Sequence, residues 1–374
     1  MTATAKVAVV GAGPAALAAA HRLRSEHAVD VLLVAKGGVS EYLPGALPVV
    51  TGDAAAEDFR VPVRLDGVEV MAAAVEALDG RRIRVEGRDV PVDAVVVAPG
   101  LATVPVGSGG GGRPAVVGFW DVSDAARAAS VVSYFESGVV TVVIAGPLYR
   151  CPPAPYGLAI RLARRARRLG LDVSVRLTTP EPRPLEAIGT AVTDLLLGSC
   201  AEAGVEIDFE VALDLSALAA GDVVRSDGEV IEADLAVVVP LHRASPLVAE
   251  LAGPNQLVEV DGQGRCAATG VYVAGDAIAS PFPRAVAPAI VSGVAAAEGA
   301  LVDLGVIESA ALVLPEPDCF VDRGDGEYSR IQISYPDGAP PVGRPAVVVS
   351  GPTAAAIGGF DEATARWRHA CGAL

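Results

Sequence analysis

The six residues Gly11-Ala-Gly-Pro-Ala-Ala16 constrain this chain more than any others. They separate a short apolar run, Lys6–Val10, from an Ala/Leu-rich stretch, Leu17–Arg24, and a second apolar run follows at Val31–Val34. Strand, tight turn, helix and strand within about 30 residues is the unit that seats a pyrophosphate. Gly11 permits the turn, Gly13 lets the backbone approach a phosphate, Pro14 and Ala15 open the helix, and Ala16 is small enough for that helix to pack on the strand. The free N–H groups and dipole of the helix N-terminus favour negative charge there. The Asp or Glu that would hold ribose hydroxyls at the end of the second strand is replaced by Ala35, followed by Lys36. Ribose binding at that point falls to backbone groups, water or Lys36.

The rest of the chain continues in the same vein. Val68–Val75, Arg82–Glu86 and Asp89–Val92 alternate in polarity and are joined by Asp79-Gly80 and Gly87, which predicts an inserted β-meander. Asp93–Gly100 returns as a buried strand ending in Ala98-Pro99-Gly100, and the glycine-rich run Ser108–Gly112 reads as a mobile loop. From about Pro114 a second alternation begins, with strands at Val139–Ala145, Val173–Leu177, Val205–Val211 and Leu235–Val239 and helices at Pro155–Leu169 and Ala187–Ala203. Thr269-Gly-Val-Tyr-Val-Ala-Gly275-Asp276-Ala277 then leads into a long Ala-rich helix, Pro288–Leu304. The tail offers strands at Tyr328–Tyr335 and Ala346–Ser350 and a short helix with Phe360, Ala363, Trp367, Cys371 and Leu374 along one face. Hydrophobic residues are 52% and charged residues 20% of the chain, a balance suited to parallel sheets buried under helices. The expected fold is α/β, with two Rossmann-like (ββα three-layer) dinucleotide-binding domains and a small C-terminal region. Residues 1–108 and 254–304 would form the first domain, 114–253 the second, and 305–374 the C-terminal interface region and tail.

Charge and cysteine usage exclude several classes. A net charge of −16 argues against a nucleic-acid partner, because phosphate binding needs a basic surface. Cys151, Cys200, Cys266, Cys319 and Cys371 are odd in number and scattered, which predicts neither a disulfide framework nor a metal site. Ala285–Leu304 is apolar but carries Glu298 and Asp303, so a buried helix is expected there and not a membrane span. Met1–Lys6 lacks the basic and apolar regions of an export peptide, and a cytoplasmic location is expected.

The GxGxxA-like unit at 11–16, the Ala98-Pro99-Gly100 strand end and the Gly270–Asp276 segment, in this order, resemble the FAD- and pyridine-nucleotide-dependent disulfide oxidoreductase superfamily. The resemblance covers most of the chain and implies bound FAD. It puts Asp276, within Gly275-Asp276-Ala277, on the ribityl chain, and aims the following helix at the flavin ring, where a helix dipole stabilises the negative charge of a reduced flavin. It also puts Val75, as the end of the first inserted strand, against the adenine.

The second domain differs from a nucleotide-binding one. After the strand Val139–Ala145 the chain reads Gly146-Pro-Leu-Tyr-Arg-Cys151-Pro-Pro-Ala-Pro-Tyr156, a proline-stiffened loop that has no glycine cradle for a pyrophosphate. A thiol near the start of the next helix is expected to tend toward thiolate. The Cys-Pro-Pro-Ala-Pro-Tyr run and the tail Cys319-Phe320 resemble sulfide:quinone oxidoreductases and the flavoprotein subunit of flavocytochrome c sulfide dehydrogenase. The resemblance implies that Cys151 and Cys319 form a redox-active pair. A small sulfur substrate such as sulfide would attack their disulfide, and two electrons would pass through FAD to a quinone or a protein acceptor. Position 157, where these relatives carry Glu, is Gly157, and no cysteine precedes Cys151. The alternatives are an NAD(P)H-dependent flavin reductase and a non-catalytic flavin-binding partner. Arg161, Arg164, Arg165, Arg167 and Arg168 are expected on a solvated helix face, and none of the four histidines is expected to serve as a base. The terminal helix is expected to pack on the body, with peripheral contact at the inner face of a membrane as the alternative.

Overall fold

A computed structural model describes residues 4–109, 114–354 and 356–373. Gly110–Gly112 of the glycine-rich run and Leu374 of the terminal stripe lie outside the described residues. Two five-stranded parallel sheets organise the chain. In the first, Val271–Val273, Ala94–Val97, Ala5–Val10, Val29–Val34 and Glu69–Met71 lie side by side in that order. In the second the order is Ala115–Gly118, Leu235–Val239, Ser137–Ile144, Asp172–Thr178 and Glu206–Asp208. Every residue of Ala94–Val97, Leu235–Val239 and Val271–Val273 is buried, as unbroken apolar strands covered on both faces require.

The first sheet is covered on one side by two helices, Pro14–Arg24 and Val286–Asp303. They approach so closely that a Cβ on Gly293 would collide with the backbone of Ala15. Val286–Asp303 is long and apolar enough to cross a membrane, but here Gly293, Ala296, Ala297, Gly299, Ala300 and Leu301 are buried. The antiparallel meander Val75–Asp79, Arg82–Val85, Arg88–Pro91 covers the other side, its Ile83 and Val85 packing with Ala8, Leu32 and Val95.

The inserted segment departs from the sequence expectation. Its first strand ends at Met71 and runs parallel to Val29–Val34 as the edge of the main sheet. Val75 opens the meander, paired with Val85, and does not end the preceding strand. Alternating polarity marks an edge strand as well as it marks a hairpin, and the break at Ala72–Ala74 carries no glycine or proline.

A three-stranded antiparallel sheet, Asp318–Asp322, Tyr328–Ser334 and Ala346–Thr353, forms the C-terminal region. Its first strand, which carries Cys319, lay within a stretch with no strand expected. The terminal helix Ala356–Ala370 packs on the body: Trp367 stacks on Tyr42 at 5.2 Å between centroids and donates from Nε1 to Ser40 Oγ at 3.0 Å. Cys371 is fully buried.

Candidate functional site

Three turns meet at the C-terminal edge of the first sheet. Gly11, at φ +126°, brings its Cα against the Ala98 carbonyl so tightly that any side chain would clash. Gly275, at φ +75°, would place a Cβ 3.1 Å from that of Ala15, and its N–H donates to Ser292 Oγ at 2.9 Å. Ala98-Pro99-Gly100 and Gly275-Asp276-Ala277 therefore flank the Gly11–Ala16 turn. A Cβ on Gly13 would face open space, and the helices beginning at Pro14 and Val286 have no side-chain N-cap. Free backbone donors beside an unfilled approach are what a dinucleotide's phosphates and ring require, so these residues fit FAD. Ala35 is buried, while Lys36 is exposed in a turn with Gly37 and Gly38. Ala72, not Val75, abuts that turn, 3.0 Å from a Cβ on Gly38.

Cys151 lies at φ +54°, a conformation rare for a residue with a Cβ. It is held there by its N–H donating to the Arg284 carbonyl at 2.8 Å and its own carbonyl accepting from Ala154 N at 2.9 Å, as the helix Ala154–Leu169 starts. These bonds carry the cysteine loop of the second sheet to the segment preceding Val286–Asp303. Cys319 arrives from the C-terminal sheet. Burial, and then the charge of Cys151, push its thiol up to about 12, and Tyr42 feels both sulfurs. Cys319 therefore lies near enough to Cys151 to feel its charge, and both are free thiols. Burial, reinforced by Asp276, raises Cys151 to about 12 as well, against the opposing pull of Arg150. The expectation of a thiolate at Cys151 is corrected: desolvation outweighs the helix N-terminus and the cation.

Gly157 is glycine for a packing reason. A Cβ there would lie 3.0 Å from the Asp322 carbonyl oxygen and 3.1 Å from Leu47 Cδ2, so the tail strand occupies the space a longer side chain would need. The half-buried carboxyl in this region is instead Glu181, which accepts from Tyr156 Oη at 2.6 Å and Tyr149 Oη at 3.3 Å. Glu181 follows the strand Asp172–Thr178, where a nucleotide-binding sheet presents its ribose acid. Here the two tyrosines, both buried, have taken it, and Pro152, Pro153 and Pro155 have no N–H to offer a phosphate.

Several residues of the cleft escaped the sequence reading. Arg150 donates from Nη2 to the Trp120 carbonyl at 3.3 Å, and the backbone carbonyl of Arg284 accepts from Cys151 N. His242, on a strand paired with Leu101–Thr103, is buried edge-on to Trp120 at 5.8 Å. Burial and the nearby Arg150 lower its pKa to about 3, so it is neutral. The cations flanking Cys151 and preceding the Ala-rich helix were legible signals; His242 offered none. The solvated face expected of the arginine cluster is found at Arg167 and Arg168 and is corrected at Arg161. Arg161 is 5% exposed and bonds Asp322 Oδ1 at 2.5 Å and Thr51 Oγ1 at 2.9 Å, with Asp53 a third partner. Arg164 pairs with Glu327 at 2.6 Å, and Arg168 pairs with Asp325. The cluster clamps the tail onto the helix, and the pattern misled because its acidic partners lie far along the chain. Among the described residues no group of His, Cys, Asp and Glu could hold a metal.

Two parallel-sheet units of dinucleotide-binding type, meeting at a cleft that holds two cysteines, define an oxidoreductase class. The chain belongs to the pyridine nucleotide-disulphide oxidoreductase family, whose model matches residues 5–297. No curated protein sequence matches it. Among solved structures, it resembles the sulfide:quinone oxidoreductase of the hyperthermophilic bacterium Aquifex aeolicus, with a TM-score of 0.81 and 19% identity over 99% of this chain and 92% of that one. It also resembles an NAD-dependent persulfide reductase from A. fulgidus, at 0.63 and 18% over 88% and 64%. The reduced CoADR-RHD of Bacillus anthracis matches at 0.65 and 14% over 92% and 68%.

Proposed function

We propose that this protein is an FAD-dependent oxidoreductase that oxidises sulfide, or a related small sulfur compound, through Cys151 and Cys319. One observation carries the reading: two cysteines from distant parts of the chain lie near enough for one to feel the other's charge, with Asp276 acting on Cys151, while Glu181 after the second sheet's strand is bonded by Tyr149 and Tyr156. The resemblance to a sulfide:quinone oxidoreductase over nearly the whole chain supports it.

In this reading the oxidised pair is a disulfide. Hydrosulfide attacks one sulfur, a new S–S bond forms, the Cys151–Cys319 bond breaks, and the other cysteine leaves as thiolate. A second hydrosulfide or thiol carries the outer sulfur of the persulfide away and leaves two cysteine thiolates. FAD, which Gly11, Gly13, Pro14, Ala15 and Ala16 would cradle with Ala98, Pro99, Gly100 and Asp276 alongside, would supply the two-electron acceptor for reclosing the disulfide, with a quinone or protein as the onward acceptor. The chain's own contribution is to hold both sulfurs in a dry cleft, with Arg150 favouring the thiolate as it is released.

The test is anaerobic addition of sulfide to the purified flavoprotein. The oxidised flavin band bleaches in the wild type and persists in Cys151→Ser and Cys319→Ser. Bleaching at the same rate in all three would remove the cysteines from the reaction.

A further inference from the structure

We infer that Arg150 and Arg284 form an anion seat beside Cys151 that takes a small, singly charged sulfur species such as hydrosulfide. The inference rests on the sulfur-oxidising reading of the same cleft and deepens it by naming what holds the substrate.

Both guanidinium groups are half-buried in a chain of net charge −16, yet among the described residues neither makes an ion pair with a carboxylate. Their nearest acid is Asp276, which feels the charge of both. The Nε of Arg150, the Nε of Arg284 and the Nε1 of Trp120 are all buried without an acceptor. A buried donor left unmet costs about 1–3 kcal/mol, so three such donors in one cleft point to a ligand that accepts hydrogen bonds. His242 adds no competing charge: its Nδ1 contacts the Pro240 carbonyl at 2.7 Å and the ring is neutral. The placement is specific to Cys151. Arg150 precedes it in sequence, and the carbonyl of Arg284 accepts its N–H at 2.8 Å. Arg150 Nη1 also lies 3.9 Å from where a Cβ on Gly100 would stand, so the guanidinium reaches across to the Pro99-Gly100 turn. The charge of Arg150 acts on Cys151, and the charges of Arg150 and Arg284 both act on Asp276 and His242; positive charge gathered there attracts an anionic co-reactant.

Alkylation of the flavin-loaded Cys319→Ser protein, which keeps Cys151 out of a disulfide and is the background for each arginine change, tests this without any electron transfer. Iodoacetate carries a negative charge and iodoacetamide does not, and mass spectrometry of the Cys151 peptide reads their relative rates. The seat predicts that the iodoacetate-to-iodoacetamide ratio at Cys151 exceeds that of free cysteine by about tenfold, as local attraction of an anion allows. Arg150→Gln and Arg284→Gln each bring the ratio toward the free-thiol value, while Arg150→Lys and Arg284→Lys retain most of it. With both arginines in place, thiocyanate slows the iodoacetate reaction selectively. A Cys151 that reacts with neither reagent, or at the free-thiol ratio, overturns the seat. So does a ratio that both Gln variants leave unchanged. Selective alkylation with a wild-type flavin inert to sulfide would sink the oxidation reading and leave the seat standing.

Discussion

Cys151 combines a left-handed backbone angle with a thiol that burial, and then Asp276, raise to about 12. Such conformations persist only where surrounding bonds enforce them, and they gather at functional sites. Because Asp276 opposes ionisation of Cys151, Asp276→Asn is expected to lower the pH at which Cys151 becomes reactive, measured as its alkylation rate against pH. An unmoved profile would separate the two side chains. His242 gives a second pH effect, on stability. Its pKa falls from 6.5 in the unfolded chain to about 3 in the fold. The unfolded state therefore takes up a proton in this window and the folded state does not, so stability drops as pH falls from 6.5 toward 3. His242→Leu is expected to flatten that part of the curve of unfolding midpoint against pH. A curve of unchanged slope would show that another group titrates there.

At the scale of elements, Cys151 lies just before the helix Ala154–Leu169 and Cys319 lies in the strand Asp318–Asp322, and a buried ion pair fixes helix and strand against each other. Arg161→Met leaves Asp322 buried without its cation, which is expected to cost about 3–5 kcal/mol. The double variant Arg161→Met/Asp322→Leu is expected to recover much of that, as read by denaturant unfolding. Gly157→Ala pushes the same helix and strand apart and is expected to cost about 1–3 kcal/mol. Elements with strong local signals were legible in the sequence. Gly11 and Gly13 at a strand end mark the first helix, and the apolar runs 94–97 and 235–239 mark central strands. The strand carrying Cys319 was not legible, because its pairing partner Tyr328–Ser334 and its ion-pair partner Arg161 supply the stabilisation, and neither leaves a mark in residues 318–322. Val75 was misplaced for a related reason. A parallel edge strand and a hairpin strand alternate alike, and only pairing with Val29–Val34 tells them apart.

Across the whole molecule, two similar sheets have diverged in what they hold at their C-terminal edges. The first keeps glycines, open space at Gly13 and uncapped helix N-termini. The second fills the equivalent place with prolines and with Tyr149 and Tyr156 bonded to Glu181. The FAD end of the site was legible because close backbone approach demands glycine. At the proposed sulfur end the sequence marked Cys151 and Cys319 and offered Arg150 and Arg284 as neighbours of marked segments, whereas Glu181 and His242 arrive there through tertiary packing alone. In the proposed function a thiol pair feeds electrons into a cleft that excludes nicotinamide. The most direct measurement is anaerobic stopped-flow mixing of the oxidised flavoprotein with sulfide, NADH and NADPH in parallel. The account predicts that sulfide bleaches the flavin and that neither nicotinamide does so on the same timescale. Rapid bleaching by NADH or NADPH, with sulfide silent, would contradict it.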